Sequence, residues 1–122
     1  VTDQPTLAQV AHAIRCCRFR YASEDDLQRG VHGALTQAGI PCTRETVVAP
    51  GCRVDHLCGR VAVEVKTAGS AGEVSRQLRR YLESGKIDGV VLVTSRVSHL
   101  RLQRVVPDKR VEVVLLAGAG LL

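Results

Sequence analysis

The stretch RVDHLCGRVAVEVK, residues 53–66, decides how the rest of the chain folds. Two short runs of alternating apolar residues flank Gly59-Arg60, and a two-residue loop of the Gly-X kind is a favoured hairpin turn. With that turn, Cys58 faces Val61, Leu57 faces Ala62, His56 faces Val63 and Asp55 stands opposite Glu64. Directly opposed side chains share a face with Cβ atoms roughly 5 Å apart, so two carboxylates placed there repel. Lys66 joins them, because residues two apart on a strand point the same way. Two readings fit. A hairpin with one solvated face carries alternating charge with no further purpose; alternatively, a hard divalent cation such as Mg²⁺, held by carboxylates, water and phosphate, relieves the repulsion.

Working outward, residues 43–49 alternate as a strand and Pro50-Gly51 is a turn signal, which makes a three-stranded antiparallel meander. After Lys66, Thr67-Ala68-Gly69 breaks the strand, and Ser70 with Glu73 has capping-box spacing ahead of a helix over residues 71–83. Val74, Leu78 and Leu82 form its core stripe, while Arg76, Arg79, Arg80 and Glu83 reach solvent. Gln77 and Tyr81, four residues apart, share a helix face. Gly89 leads into residues 90–94, a continuous apolar run of the kind buried on both faces, and a helix followed by such a strand implies a crossover beside the meander. Residues 96–110 hold a short helix around 97–104 and the basic side chains Arg96, Arg101, Arg104, Lys109 and Arg110, which suit a solvated face or a polyanion. Residues 111–116 form a last strand, and no role is assigned to the small apolar tail, residues 117–122.

Two helices precede the meander. Thr6 and Gln9 have capping-box spacing, and Leu7, Val10, Ile14 and Cys17 recur at helical intervals, so a first helix is expected over residues 6–18 with His12 on its surface. Ser23 opens a second helix whose first turn is acidic (Glu24, Asp25, Asp26) and whose inward stripe is Leu27, Val31, Ala34, Leu35 and Ala38, with Gly39 closing it. Glu24 falls on that stripe and the other two acids do not. It either favours the helix dipole or points at the same site as Asp55 and Glu64. The fold class is α/β: a central mixed β-sheet, meander plus crossover strand, flanked by helices. One domain spans residues 1–122, with an N-terminal helix in 1–20, a core over 23–95 and the last strand at 111–116.

Composition bounds the partners. At 122 residues and 45% hydrophobic content the chain can bury a core of its own, built chiefly from Val and Leu. It contains no Met, so its first residues are expected to be processed or appended, and it has neither a membrane-spanning apolar run nor a secretory-signal layout. A net charge of +5 suggests a polyanion, most commonly nucleic acid, and an aromatic content of 2% leaves few platforms for base stacking. Backbone and shape contacts would then dominate. Cys16, Cys17, Cys42, Cys52 and Cys58 are odd in number and contain no C-x-x-C pair, so they read as small buried hydrophobes of a reducing, cytoplasmic compartment.

These residues resemble the PD-(D/E)XK nuclease superfamily, specifically its RecB-like and archaeal Holliday-junction-resolvase-like branches. The matching marks are Asp55, the triplet Glu64-Val65-Lys66 at the end of the next strand, Gln77-x-x-x-Tyr81 in the following helix, and Glu24 in an early helix. The resemblance covers residues 23–95, and Val54 stands where the family name has proline. It implies a restriction-endonuclease-like core in which Asp55, Glu64 and the Val65 carbonyl hold Mg²⁺ or Mn²⁺, supported by Glu24 directly or through water. It further implies that Lys66 orients or deprotonates the attacking water, that Gln77 and Tyr81 position water or phosphate, and that Arg76, Arg79 and Arg80 contact phosphates. Some RecB-like members carry an iron–sulfur cluster on flanking cysteines. No cysteine lies beyond Cys58, so no cluster is expected here.

The leading expectation is therefore a metal-dependent DNA endonuclease directed by DNA structure rather than sequence, with a homodimer implied by the resolvase-like relatives. The alternatives are a catalytically silent DNA-binding or assembly module, and a subunit of a phage or bacterial repair complex that is active only with its partner. His32 and His56 are left out of the site, because the hairpin register puts His56 on the face opposite Asp55.

Overall fold

The computed structural model describes residues 4–105 and 110–116; Lys109 and the tail 117–122 lie outside them. Helix α1 (Leu7–Arg15) starts at Thr6 in the reciprocal capping box that the spacing implies. It is shorter than expected. The Cys16 N–H still reaches the His12 carbonyl, but that of Cys17 turns to Ile14, and this tighter bond closes the helix. Helix α2 (Glu24–Gln37) is capped by Ser23, whose hydroxyl accepts the Asp26 N–H at 3.1 Å. Leu27, Val31, Ala34 and Leu35 are buried as expected, whereas Ala38 is the exposed C-cap residue.

Strands β1 (Thr43–Ala49), β2 (Cys52–Cys58) and β3 (Val61–Lys66) form the antiparallel meander. Helix α3 (Ala71–Glu83) then crosses over to β4 (Gly89–Thr94), which lies parallel to β3. A 3-10 turn (Val97–Arg101) runs into helix α4 (Leu102–Val105), and β5 (Val111–Leu115) pairs in parallel with β4. The result is an α/β fold with a mixed five-stranded sheet in the order β1-β2-β3-β4-β5. Every residue of β4 is buried, as its unbroken apolar run implies. At α3, Ser70 accepts the Glu73 N–H and donates its hydroxyl to the Glu73 carboxylate, a one-sided variant of the expected box. Among the described residues no helix is long and apolar enough to cross a membrane.

Each face of the sheet packs its own core. On one side Val10 and Ile14 of α1 and Leu27 and Val31 of α2 meet Val63, Val65, Val91 and Val93. On the other, Leu78, Tyr81 and Leu82 of α3 meet Val54, Ala62, Val90 and Leu92. The turn joining β2 to β3 needs glycine at Gly59, where φ is +61°. Arg60 beside it forms a two-pronged bond to Asp88 and a third to the Gly85 carbonyl, tying the hairpin tip to the segment before β4.

The hairpin ladder runs as expected through Cys58↔Val61, Leu57↔Ala62 and His56↔Val63, and there it ends. Asp55 and Glu64 are not a ladder pair. The reason is a reversal of phase in β2. Residues two apart on a regular strand share a face, yet Val54 packs in the α3 core while His56 lies against His32 of α2. Glu45, level with Asp55 between the registered pairs Arg44↔His56 and Thr46↔Val54, has a φ of +50°. The β1–β2 ribbon thus twists at this level, and its separation from β3 opens a gap beside Glu64.

Candidate functional site

The gap is filled by carboxylates. Asp55 turns its Oδ2 to accept the Val65 N–H at 2.8 Å, replacing the ladder bond that the twist removed. A strand residue's N–H and C=O point to the same edge, so the Val65 carbonyl faces this gap as well. Glu64, only 3% exposed, points into the α3 layer, where its Oε1 lies 3.0 Å from the Tyr81 hydroxyl and 3.4 Å from the Asp55 N–H. Its Oε2 is 3.4 Å from the Lys66 Nζ. From α2, Glu24 reaches the end of β3, where one oxygen accepts both the N–H and the hydroxyl of Thr67. The four charged groups therefore gather at the carboxyl end of β3, the position where open α/β sheets bind ligands.

Their electrostatics are strained. Burial first, and then the charge of Asp55, push the Glu64 pKa up to about 7, with Lys66 and Tyr81 opposing. Asp55 is also held above the ordinary carboxylate range, by burial and by the charges of Glu24 and Glu45, against the pull of the Val65 N–H and Lys66. The hydrogen bonds agree with these directions. The Tyr81 hydroxyl has one proton but two acceptors, Glu64 at 3.0 Å and the Arg53 carbonyl at 2.9 Å. A protonated Glu64 donating to Tyr81, which donates to Arg53, satisfies all three groups. Ionised, Glu64 needs another source of positive charge beyond one lysine. Oxygen donors from Asp55, Glu64 and Val65 are a hard set whose chemistry suits Mg²⁺ or Mn²⁺, whereas Glu24 is engaged by Thr67 and the three carboxylates do not all come within 4.8 Å of one another.

Beside the cluster, a groove of about 620 Å³ runs along α3. Lys66, Gln77, Arg76, Arg79 and Arg80 line it, with Glu73 and Glu83 contributing acid at its margins. The three arginines are exposed and Gln77 is half-buried. Tyr81, expected to position water or phosphate, is 1% exposed with its hydroxyl on Glu64. A ring enclosed in this way can reach a ligand only through the carboxylate it holds.

Three further features were not legible in the sequence. Thr67 anchors Glu24, although the sequence shows it only as part of a strand break. His99, fully buried, bonds the Thr94 hydroxyl at 2.7 Å and the Gly69 carbonyl at 2.8 Å, and so fastens the β3–α3 loop to the end of β4. On the opposite side of β2, His56 is fully buried and stacks on His32 with ring centroids 5.9 Å apart. Burial, and then the neighbouring Arg44 and His32, lower the His56 pKa to about 4, so its ring is neutral. Cys42 lies 3.4 Å from the His32 Nδ1, and burial raises both its thiol and that of nearby Cys58. The one signal available was that His56 and Cys58, two apart on a strand, share a face. No family model matches the chain, and neither the curated proteins nor the solved structures contain a match to it.

Proposed function

We propose that this chain is a metal-dependent deoxyribonuclease domain with a restriction-endonuclease-like core, cutting branched or otherwise structured DNA. The observation that carries this reading is the convergence of Asp55, Glu64 and Lys66 in the gap where β2 twists away from β3, with Glu24 at the same strand end. Asp55, Glu64 and the Val65 carbonyl would hold the ion, with Glu24 supporting it. When bound, Mg²⁺ or Mn²⁺ neutralises charge on the scissile phosphate and acidifies a water. Lys66 orients the attacking water and sets positive charge against the crowded phosphorane oxygens. The water oxygen bonds to phosphorus, the P–O ester bond breaks, and the departing oxygen takes up a proton. Tyr81 keeps Glu64 in place during this exchange. Arg76, Arg79 and Arg80 contact the DNA backbone along the groove, and Gln77, which lines the same groove, positions water or phosphate.

A basic chain with few aromatics suits recognition by backbone and shape. A second copy, or a phage or repair protein partner, would complete the substrate-binding surface. The test is incubation of the protein with supercoiled plasmid, single strands and a four-way junction in Mg²⁺, Mn²⁺ or EDTA, alongside Glu64→Ala. Metal-dependent cutting that the substitution abolishes supports the reading. DNA binding without cutting of any substrate would replace it with a silent module or a subunit that needs its partner.

A further inference from the structure

The His/Cys cluster on the other face of β2 has a chemistry distinct from that of the carboxylates. His32 comes from α2, Cys42 from the residue before β1, and His56 and Cys58 from adjacent inward positions of β2. One ligand atom from each of His32, Cys42 and His56 lies within 4.8 Å of the other two, and the Cys58 thiol, outside that trio, is close enough to Cys42 for each to influence the other's ionisation. His56 is 0% exposed, and neither of its ring nitrogens has a hydrogen-bond partner among the described residues. A buried polar group left unsatisfied is destabilising, so this ring has room in its energetics for a ligand. Stacking on His32 offers no such bond, because the rings lie nearly parallel, 20° apart.

We infer that His32, Cys42, His56 and Cys58 bind one zinc ion as a closed Cys₂His₂ site. Zinc takes thiolate sulfur at about 2.3 Å and imidazole nitrogen at about 2.0 Å in a tetrahedron, which sets neighbouring ligand atoms roughly 3.5 Å apart. The His32–Cys42 pair already meets that spacing at 3.4 Å, the His56 ring lies within 4.8 Å of both, and Cys58 has to swing in from outside this trio to close the site. Binding releases the two thiol protons to solvent, and two thiolates then balance the dication. That neutrality matters here, because Arg44 on the same face directs its guanidinium at Gln28 and Asp25 but keeps its Nε buried and unpaired among the described residues. His32 and Cys42 are half-buried, which leaves the ion a route in. The ion would tie α2 to β2. Those are the elements that bring Glu24 and Asp55 together, so a structural zinc here would fix their spacing without touching a substrate. The inference stands apart from the nuclease reading, since none of its ligands is a carboxylate.

The test is titration of the metal-free, reduced protein with Co²⁺, read by visible absorption. The expected result is that the first equivalent gives the intense ligand-field bands of tetrahedral cobalt and a thiolate-to-cobalt charge-transfer band, both fully displaced by Zn²⁺, while any further Co²⁺ held by the carboxylates adds only weak octahedral absorption. Glu64→Gln should give the same spectrum. Cys42→Ser should lose about half of the charge-transfer intensity and weaken binding by about tenfold or more. His32→Asn, at a half-buried position, serves as a second ligand variant if Cys42→Ser does not fold. Octahedral absorption with no tetrahedral bands, or tetrahedral bands that Glu64→Gln abolishes, would overturn the inference. So would peptide mapping of the unreduced protein that finds Cys42 disulfide-bonded to Cys58, because the cluster would then be a redox pair.

Discussion

Asp55 and His56 are neighbours in sequence, yet they sit in two opposed environments. On the α3 side the donors are oxygens whose charges conflict: Glu64 is buried, crowded by Asp55, and opposed by a single lysine. On the α2 side the donors are nitrogen and sulfur, with both His56 nitrogens unpaired among the described residues. On the two proposals, the first environment would take a hard cation that cancels charge and the second a softer ion that supplies bonds. One twist in a strand creates both, because it turns adjacent side chains into different layers at a point where the ladder has already opened. A small domain can thus keep a strained site on one face and brace it from the other.

The largest effect expected on the oxygen side is on activity. Asp55→Asn or Glu64→Gln should lower the metal-dependent cleavage rate by at least about 100-fold, measured as plasmid nicking under saturating Mn²⁺. If both variants cut at the wild-type rate, the carboxylate half of the contrast is wrong.

Next in size is a pH effect. The folded pKa of Glu64, about 7, lies above its ordinary value of 4.5. A carboxyl raised in this way favours the folded state while protonated. Its contribution is complete below the unfolded pKa and disappears as pH rises through 7. In EDTA, the unfolding free energy should therefore fall between about pH 5 and 8 by up to roughly 3 kcal/mol, and Glu64→Gln should flatten that slope. Added Mg²⁺ should raise the melting temperature increasingly over the same interval, because the ion competes with the proton. A wild-type profile as flat as that of Glu64→Gln would show that the carboxylates are not in conflict.

Tyr81→Phe should cost about 1–2 kcal/mol in denaturant unfolding, since it strips a partner from the Arg53 carbonyl and from Glu64. It should also weaken Mn²⁺ binding while leaving the cobalt spectrum of the His/Cys cluster unchanged. The smallest effect belongs to the groove. Each of Arg76→Gln, Arg79→Gln and Arg80→Gln should weaken DNA binding about equally across sequences and lower the salt slope by about one, measured by fluorescence anisotropy at several salt concentrations.

Much of the fold was legible because its signals are local. Gly59 marks the hairpin, Ser23 and Ser70 mark helix starts, and the run from Val90 to Val93 marks a strand covered on both faces. The three residues gathered at the open end of the hairpin, Asp55, Glu64 and Lys66, followed from strand periodicity. The phase reversal did not, because it leaves no trace in the alternation. Cys52, Val54, His56 and Cys58 are all buried in a regular every-second-residue pattern. Yet Cys52 and Val54 enter the α3 core, Cys58 enters the α2 core, and His56 stacks against α2. A pattern of burial does not say in which layer a residue is buried. For the same reason the meeting of His32, Cys42 and His56 was hidden: it depends on the docking of α2 over β2, a tertiary contact with no spacing to announce it.

The most direct test of the hard-ion site is electron paramagnetic resonance of Mn²⁺ at pH 8, comparing free and bound ion for wild type and Glu64→Gln, with folding of both confirmed by circular dichroism. The expected result is saturable Mn²⁺ binding by wild type, lost or weakened at least about tenfold in Glu64→Gln. Equal binding by the two proteins, or none by a folded wild type, would contradict it.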